Sequence, residues 1–529
     1  MADEDHDLDE TVEVSLDVDN DDEGLVLDSG WEQEADARKA KSISLNNSRM
    51  LDVHTWSEHP EVNGFVDAIY HGIFAKRNSQ IRRTHVKVLL LDLYVNWCDD
   101  ENRYLSFSRN NNDYESGSRY NELHISRVTI VVVDTLVKAG LVEHEKGFYD
   151  RHKGTGKLSR IRSTEALRAM FRDARFSVFD ISNHSDRLTV ELRSADPGSK
   201  KFQPIEYEPD ERTETMSRSI EAYNSLLSRT FIDIPVLETN RIEIANGSPV
   251  FVNQRDKFVR RIFNRGSFDC GGRFFGGWWQ RCPKEWRPKI FLNDQPTNEI
   301  DFSGLHIVML YAEAGVPYWE AVGSDPYGIP VPDFLDDQSQ TRNIAKSLML
   351  VLINATSVTK AYAAFRDKAE TGSYEKRMTN DQLDIIRQSL AERHPTIQDS
   401  LGSDAGIRLM NRDSEITSLI INAFTEKEIP LLTLHDSYLV PDGYEDILIE
   451  EMGSAFEAVM GMILGDPKVA VKVQSARIEY LEMGLMSWMP YENLPWQQED
   501  EETYRQRKFP DKTVRYKKEL GIFNRWLSC

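Results

Sequence analysis

Asn298-Glu299-Ile300-Asp301-Phe302-Ser303-Gly304-Leu305-His306-Ile307 is the stretch whose reading decides the fold of the larger part of the chain. Its first half reads as an apolar strand that delivers Asp301 at its end, and a Ser-Gly turn leads directly into a helix from Ile307 to Ala314. A second stretch has the matching form: Pro430-Leu431-Leu432-Thr433-Leu434-His435-Asp436-Ser437-Tyr438-Leu439-Val440. One apolar strand reaches a tight turn at His435-Asp436 and another leaves it, which predicts a hairpin with a carboxylate at its tip. Between the two lies Arg342-Asn343-Ile344-Ala345-Lys346, followed by the apolar run Leu348–Ile353. Arg and Lys four apart share one helical face. Two strand-end carboxylates can hold a pair of Mg²⁺ ions and two aligned cations can clamp a triphosphate, the needs of two-metal phosphoryl transfer. Each signal alone is commonplace, since such Arg/Lys pairs are ordinarily solvated and His-Asp-Ser ordinarily caps a turn. Their order along the chain is what points to the chemistry.

The chain has 529 residues, 64 Lys+Arg and 87 Asp+Glu, a formal charge of −23 that on its face argues against a nucleic-acid partner. Residues 1–36, however, hold 16 acids and no bases, leaving 71 acids against 64 bases in the remaining 493 residues. The charge therefore belongs to a terminal segment expected to be solvated: first of all a solubilising extension, otherwise an interaction arm for a protein partner or a shield for a basic groove. The four cysteines, Cys98, Cys270, Cys282 and Cys529, have neither a disulfide framework nor Cys-x-x-Cys metal spacing. No apolar run is long enough for a membrane span and no signal peptide is visible. The expectation is a cytoplasmic protein with no membrane partner.

Five segments follow from the pattern. Residues 1–55 read as acidic tail and linker, 56–180 as a nucleic-acid-binding domain, 181–240 as linker and a helical, thumb-like segment, 241–490 as the catalytic domain, and 491–529 as a polar and basic tail. In the second segment a helix runs from a Ser126 N-cap to Gly140, followed by a strand (Leu141–His144), a Gly-rich basic turn and another strand (Leu158–Ser163). That order resembles a winged helix-turn-helix domain. Lys146, Arg151, Lys153, Lys157, Arg160 and Arg162 face a single acid, Asp150, within 146–162. Such a composition suits a wing lying along a phosphate backbone, and equally a protein-docking module. The aromatic run Phe274-Phe275-Gly276-Gly277-Trp278-Trp279 fits either base stacking or an ordinary core.

From about Asp269 to Val440, roughly a third of the chain, the sequence resembles the palm and fingers of family A DNA polymerases and of single-subunit phage and mitochondrial RNA polymerases. Asp301-Phe302-Ser303-Gly304-Leu305-His306 is similar to their motif A, Arg342-x-x-x-Lys346 to motif B, and His435-Asp436-Ser437 to motif C. Asp269-Cys270-Gly271-Gly272-Arg273 fits their Asp-x-x-Gly-Arg motif, and Asp325-Pro326-Tyr327 stands where relatives carry a short acidic motif. The resemblance implies an α+β multidomain protein in which a winged helix precedes a right-hand palm with an antiparallel sheet. It implies Asp301 and Asp436 as metal ligands for two Mg²⁺, with Mn²⁺ as the alternative. Arg342 and Lys346 become phosphate contacts, Lys346 the acid toward pyrophosphate, His435 a neighbour of the primer end and Arg273 a contact to the duplex. Asn411, Arg412 and Glu415 fall where relatives contact the template.

The departures lie around the nucleotide. Eight and nine residues after the motif B Lys, relatives carry Tyr-Gly; here stand Asn354 and Ala355. Leu350 replaces an aromatic, and His306 replaces the Glu that excludes a 2′-hydroxyl. The resulting expectation is template-directed addition of nucleoside triphosphates to a 3′-hydroxyl on a DNA or RNA template–primer, DNA synthesis favoured over RNA, in replication or repair on a mobile element or phage. The rival readings are a non-catalytic DNA-binding replication initiator with a degenerate palm, and a template-independent nucleotidyltransferase.

Overall fold

The computed structural model describes residues 45–74, 79–150, 155–195, 202–244, 248–302, 304–323, 325–464, 506 and 508–528. The described residues from Asn47 onward belong to one compact unit. Within it helices and several small sheets combine around two large hydrophobic cores and a small third cluster, as an α+β protein requires.

The first core spans Val62 to Ile181 and is organised by α1 (Pro60–Phe74) and α2 (Gln80–Asp99). Ser79 caps α2 by accepting from the Arg82 amide at 3.4 Å. Every α2 residue from His85 to Asn96 is buried, so this helix runs through the middle of its layer rather than over it. Its two buried charges are answered locally: Asp92 takes both forks of Arg49 at 2.7 and 2.9 Å, and Lys87 lies 3.6 Å over the Trp56 ring. Strands β1 (Arg49–Met50), β2 (Leu105–Phe107), β3 (Val142–Glu145) and β6 (Ser159–Ser163) form one sheet in the order β1-β2-β6-β3, and α3 (Val128–Lys138) packs on α2. Between β3 and β6 projects a separate two-stranded ribbon, β4 (Phe148–Asp150) with β5 (Thr155–Lys157). The helix–strand–ribbon–strand succession expected from residues 126–163 is therefore present.

The second core runs from Val190 to Met460. Within 181–240, expected as linker and a helical segment, β7 (Val190–Ala195) and β8 (Phe202–Pro204) join a sheet ordered β8-β7-β10-β11, with β10 Val259–Asn264 and β11 Ser267–Gly276. Polarity hid β7: Val190 and Leu192 are buried but alternate with Glu191, which is itself buried and paired with Arg193 at 2.5 Å and Arg260 at 3.1 Å. After β7 the helix α4 (Glu211–Ser228) starts at an Asp210–Thr213 capping box.

An antiparallel five-stranded sheet carries the chemistry-bearing residues, in the order β9-β12-β13-β15-β14: Ile232–Asp233, Phe291–Leu292, Gln295–Asp301, Ser437–Pro441 and Leu432–Leu434. Packed around it are α5 (Leu305–Glu313), α6 (Gln338–Asn354), α7 (Asn380–Arg393), α8 (Gly406–Glu426) and α9 (Glu445–Leu464). Phe274, Trp278 and Trp279 are core, and the Trp279 indole donates to the Thr433 carbonyl at 3.1 Å; only Phe275 of that aromatic run stays partly open. Residues 491–529, read as a polar and basic tail, end in a packed helix, α10 (Val514–Leu527). Its basic residues disguised its apolar stripe: Tyr516 and Phe523 are buried against Phe231, and Arg515 pairs with buried Asp233 at 2.7 and 3.0 Å. Among the described residues no helix is long and apolar enough to cross a membrane.

Candidate active site

Strands β13 and β15 pair antiparallel with Asp301 opposite Ser437, and the Phe302 amide donates to the Asp436 carbonyl at 3.2 Å. The two expected metal ligands are thus brought to neighbouring positions at the end of one sheet. After Asp301 the chain turns into α5 through Gly304, in the left-handed region at φ 63°, where a β-carbon would meet the Pro326 ring at 2.8 Å. Ser303 lies outside the described residues. On the partner strand His435 holds φ 67°, a conformation that costs a non-glycine residue about 1–2 kcal/mol and aims the turn at this point.

A third carboxylate, which the sequence reading passed over, sits beneath them. Asp413 on α8 is 1% exposed and accepts from Arg273 Nε at 2.8 Å and from its Nη2. His306 Nε2 lies 3.8 Å from the same Asp413 oxygen, beyond hydrogen-bonding distance, so that link is electrostatic. The Tyr438 hydroxyl, hydrogen-bonded to Thr417 at 2.9 Å, feels Asp413, Asp436 and Asp301 together; burial and these charges push its pKa far up. Burial, then the charge of Asp413, raises the Asp436 pKa against the opposing pull of Arg273. Burial would raise Asp413 too, but His306 and Arg273 outweigh it and hold that carboxyl below the usual range. Burial, and then Arg273, lowers the pKa of His435, whose ring meets Phe275 edge-on at 5.5 Å.

The Gly271-Gly272 pair explains how α8 reaches this place. Both glycines have positive φ, and a β-carbon on Gly272 would meet the Phe263 ring at 2.5 Å and Ser414 Oγ at 2.9 Å. Asn411 donates to the Gly271 carbonyl at 3.2 Å, and buried Arg261 ties the Gly272 carbonyl, Ser414 and Glu415 together at 2.8, 2.8 and 3.1 Å. Asn411, expected at the template, is thus engaged with the Arg273-bearing strand, and Glu415, expected there too, with Arg261 on the neighbouring β10.

Helix α6 presents Arg342 and Lys346 as expected, each 5.7 Å from the Tyr327 ring. Arg342 also grips Asp325 with two forks at 2.9 and 3.0 Å. Arg393 and His394 hold the backbone of that loop, at the Asp325 and Pro326 carbonyls (2.6 and 2.7 Å), and Pro326 packs on Gly304. The cations and the Asp301 turn therefore share one loop. Leu350, two-fifths exposed, follows Lys346 by one turn. Asn354 closes the helix by donating to the Leu350 carbonyl at 2.7 Å and lies against Gly406, so its side chain serves the α6–α8 junction.

The basic cluster of 146–162 divides. Lys146 and Lys157 are exposed on or beside the ribbon, next to Phe148 and Tyr149, 62% and 68% exposed. Arg160 donates to the Leu158 carbonyl (2.9 Å) and Ser48 (3.3 Å), and Arg162 pairs with Glu143 at 2.8 Å over the Tyr104 ring, so both are drawn toward the sheet. Arg151 and Lys153 lie outside the described residues.

Among the described residues no group of three or more His, Cys, Asp or Glu side chains forms a metal cage. Mg²⁺ need not have one, because it is commonly held by one or two carboxylates with waters and substrate phosphates completing the octahedron. The hard oxygens of Asp301 and Asp436 fit that chemistry, and the like-charge repulsion raising the Asp436 pKa is what a cation there would relieve. No protein-family model matches the chain, and no curated protein matches it in sequence.

Proposed function

We propose that the protein is a nucleotidyltransferase that extends a 3′-hydroxyl on a template, with residues 126–163 acting as a winged helix and the five-stranded sheet with α6 as palm and fingers. The pairing that sets Asp301 opposite Ser437, beside Asp436, carries this reading. Two Mg²⁺ ions, or Mn²⁺ in their place, would activate the attacking hydroxyl and neutralise the pyrophosphate when bound. Asp301 and Asp436 would hold them. Arg342 and Lys346 receive the triphosphate, and Lys346 gives a proton to the departing pyrophosphate. Arg273, fixed by Asp413, faces the template–primer, and His306 lines the sugar position. Incubation with a primer–template, Mg²⁺ and either dNTPs or NTPs tests the proposal. Template-ordered extension supports it; tight DNA binding with no extension sinks it in favour of an initiator, and extension indifferent to the template favours a template-independent transferase.

Two further outcomes are expected. Asp325 competes with substrate phosphates for Arg342, so Asp325→Asn should lower the nucleotide KM by about two- to fivefold, the scale of a half-exposed ion pair, with kcat unchanged. A KM that rises would show that Asp325 orients Arg342 instead. Replacing Arg151, Lys153 and Lys157 with Ala should weaken DNA binding across all sequences and flatten the slope of log affinity against log salt by about two to three units. An unchanged slope removes the ribbon from the DNA interface.

A further inference from the structure

We propose that the cavity between the two cores is an anion site for a short phosphate chain, separate from the active centre. The cavity has a volume of about 340 Å³, within the range of small-molecule sites and too small for a duplex. Its walls come from both cores, and none of the residues assigned above to the metals, the triphosphate or the primer lines it.

Charge is the reason to expect an anion. Six Arg and four Asp line the cavity. Three of the acids are matched one to one: Asp92 with Arg49 at 2.7 Å, Asp99 with Arg103 at 3.5 Å, and Asp256 with Arg281. Asp52 alone is left to face Arg187, Arg255 and Arg260. It lies 3.3 Å from Arg255 and 4.0 Å from Arg187, while Arg260 turns to Glu191, which Arg193 already holds. The lining thus carries more positive charge than its own acids balance.

Burial makes that excess consequential. The Arg255 side chain is only 6% exposed; it donates to Asn183 and Thr55 at 2.9 and 2.7 Å, yet its Nε has no acceptor among the described residues. Burial, with repulsion from Arg255 and Arg260, brings the Arg187 pKa down to about 10 despite Asp52. The Phe258 ring, 4.2 Å from the Arg187 guanidinium, steadies it as a flat fork. Phosphate oxygens accept from such forks two at a time, and a chain of them can satisfy several guanidiniums at once. A ligand bound here would also hold the two cores together.

The site is independent of the polymerase reading, so the test uses the full chain carrying Arg342→Ala and Lys346→Ala, in which the triphosphate clamp is disabled. Calorimetric titration with tripolyphosphate should show a single site, and the melting temperature should rise with ligand. Adding Arg187→Gln and Arg260→Gln should weaken binding by about tenfold or more. Asp52→Asn removes the competing acid and should tighten binding, a gain that misfolding does not produce. Titration with dATP separates the sources: tighter binding than tripolyphosphate assigns a nucleotide, equal binding the inorganic chain. No binding to the clamp-disabled protein, or an affinity indifferent to Arg187 and Arg260, overturns the proposal.

Discussion

Replacing Asp301 or Asp436 with Asn is expected to abolish primer extension while leaving the protein folded. The asparagine keeps the size of the side chain, and β13 pairs with β15 through the backbone. It removes the negative oxygen that a divalent ion needs. Loss of one preorganised electrostatic partner already costs about 10²–10³ in rate, and loss of a metal with it should exceed about 10³. The stability readout makes the result decisive. Asp436 is held with a raised pKa because it is half-buried beside Asp413, so its charge destabilises the fold at neutral pH in the absence of a cation. Asp436→Asn should therefore melt no lower than the parent, and higher in chelator. Activity lost together with a fall in melting temperature would mean that the residue holds the hairpin, not a metal. Extension that survives both substitutions would remove Asp301 and Asp436 from the metal site.

The residues that could be read from the sequence are those whose side-chain type and backbone pattern agree. The Asp301 strand and turn, the His435-Asp436 hairpin and the Arg342/Lys346 helix each combine strong periodicity with one chemically conspicuous residue, and all three are present where the pattern places them. Readings failed where a polar residue does a buried job. Glu191 made β7 look like linker because its charge is neutralised by Arg193 on the same strand and by Arg260, which only the folded sheet brings beside it. The basic residues of α10 masked Tyr516 and Phe523 in the same way. Asp413 had a visible signal: Asn411, Asp413, Ser414 and Thr417 interrupt a helix whose other inward positions include Leu409, Ile416, Ile420, Ile421 and Phe424. A polar stripe on an apolar face needs a buried partner, and that partner, Arg273, is 140 residues earlier in the chain.

Asp413→Ala should be the most damaging single substitution to stability in the site, opposite in sign to Asp436→Asn although the two carboxylates repel each other. Asp413 is the residue that makes a buried cation tolerable: Arg273 is four-fifths buried and has its two forks on Asp413. Removing one partner of a buried pair leaves the other charge uncompensated, a loss of about 3–5 kcal/mol. Chemical denaturation at neutral pH measures it. The pH dependence follows from the depressed pKa: folding binds the ionised form more strongly, so the contribution is complete above the ordinary carboxylate range. It is lost as pH falls through the lower, folded-state value. The parent and Asp413→Ala should accordingly converge in stability on acidification. A double replacement, Asp413→Leu with Arg273→Met, discriminates structure from function. An apolar pair of similar volume can restore much of the stability, but it takes away the cation proposed to face the template–primer and the charge beside His306. Stability regained with extension still absent assigns the pair to positioning of the substrate. Extension regained along with stability would reduce Arg273 and Asp413 to scaffolding and move the duplex contact elsewhere.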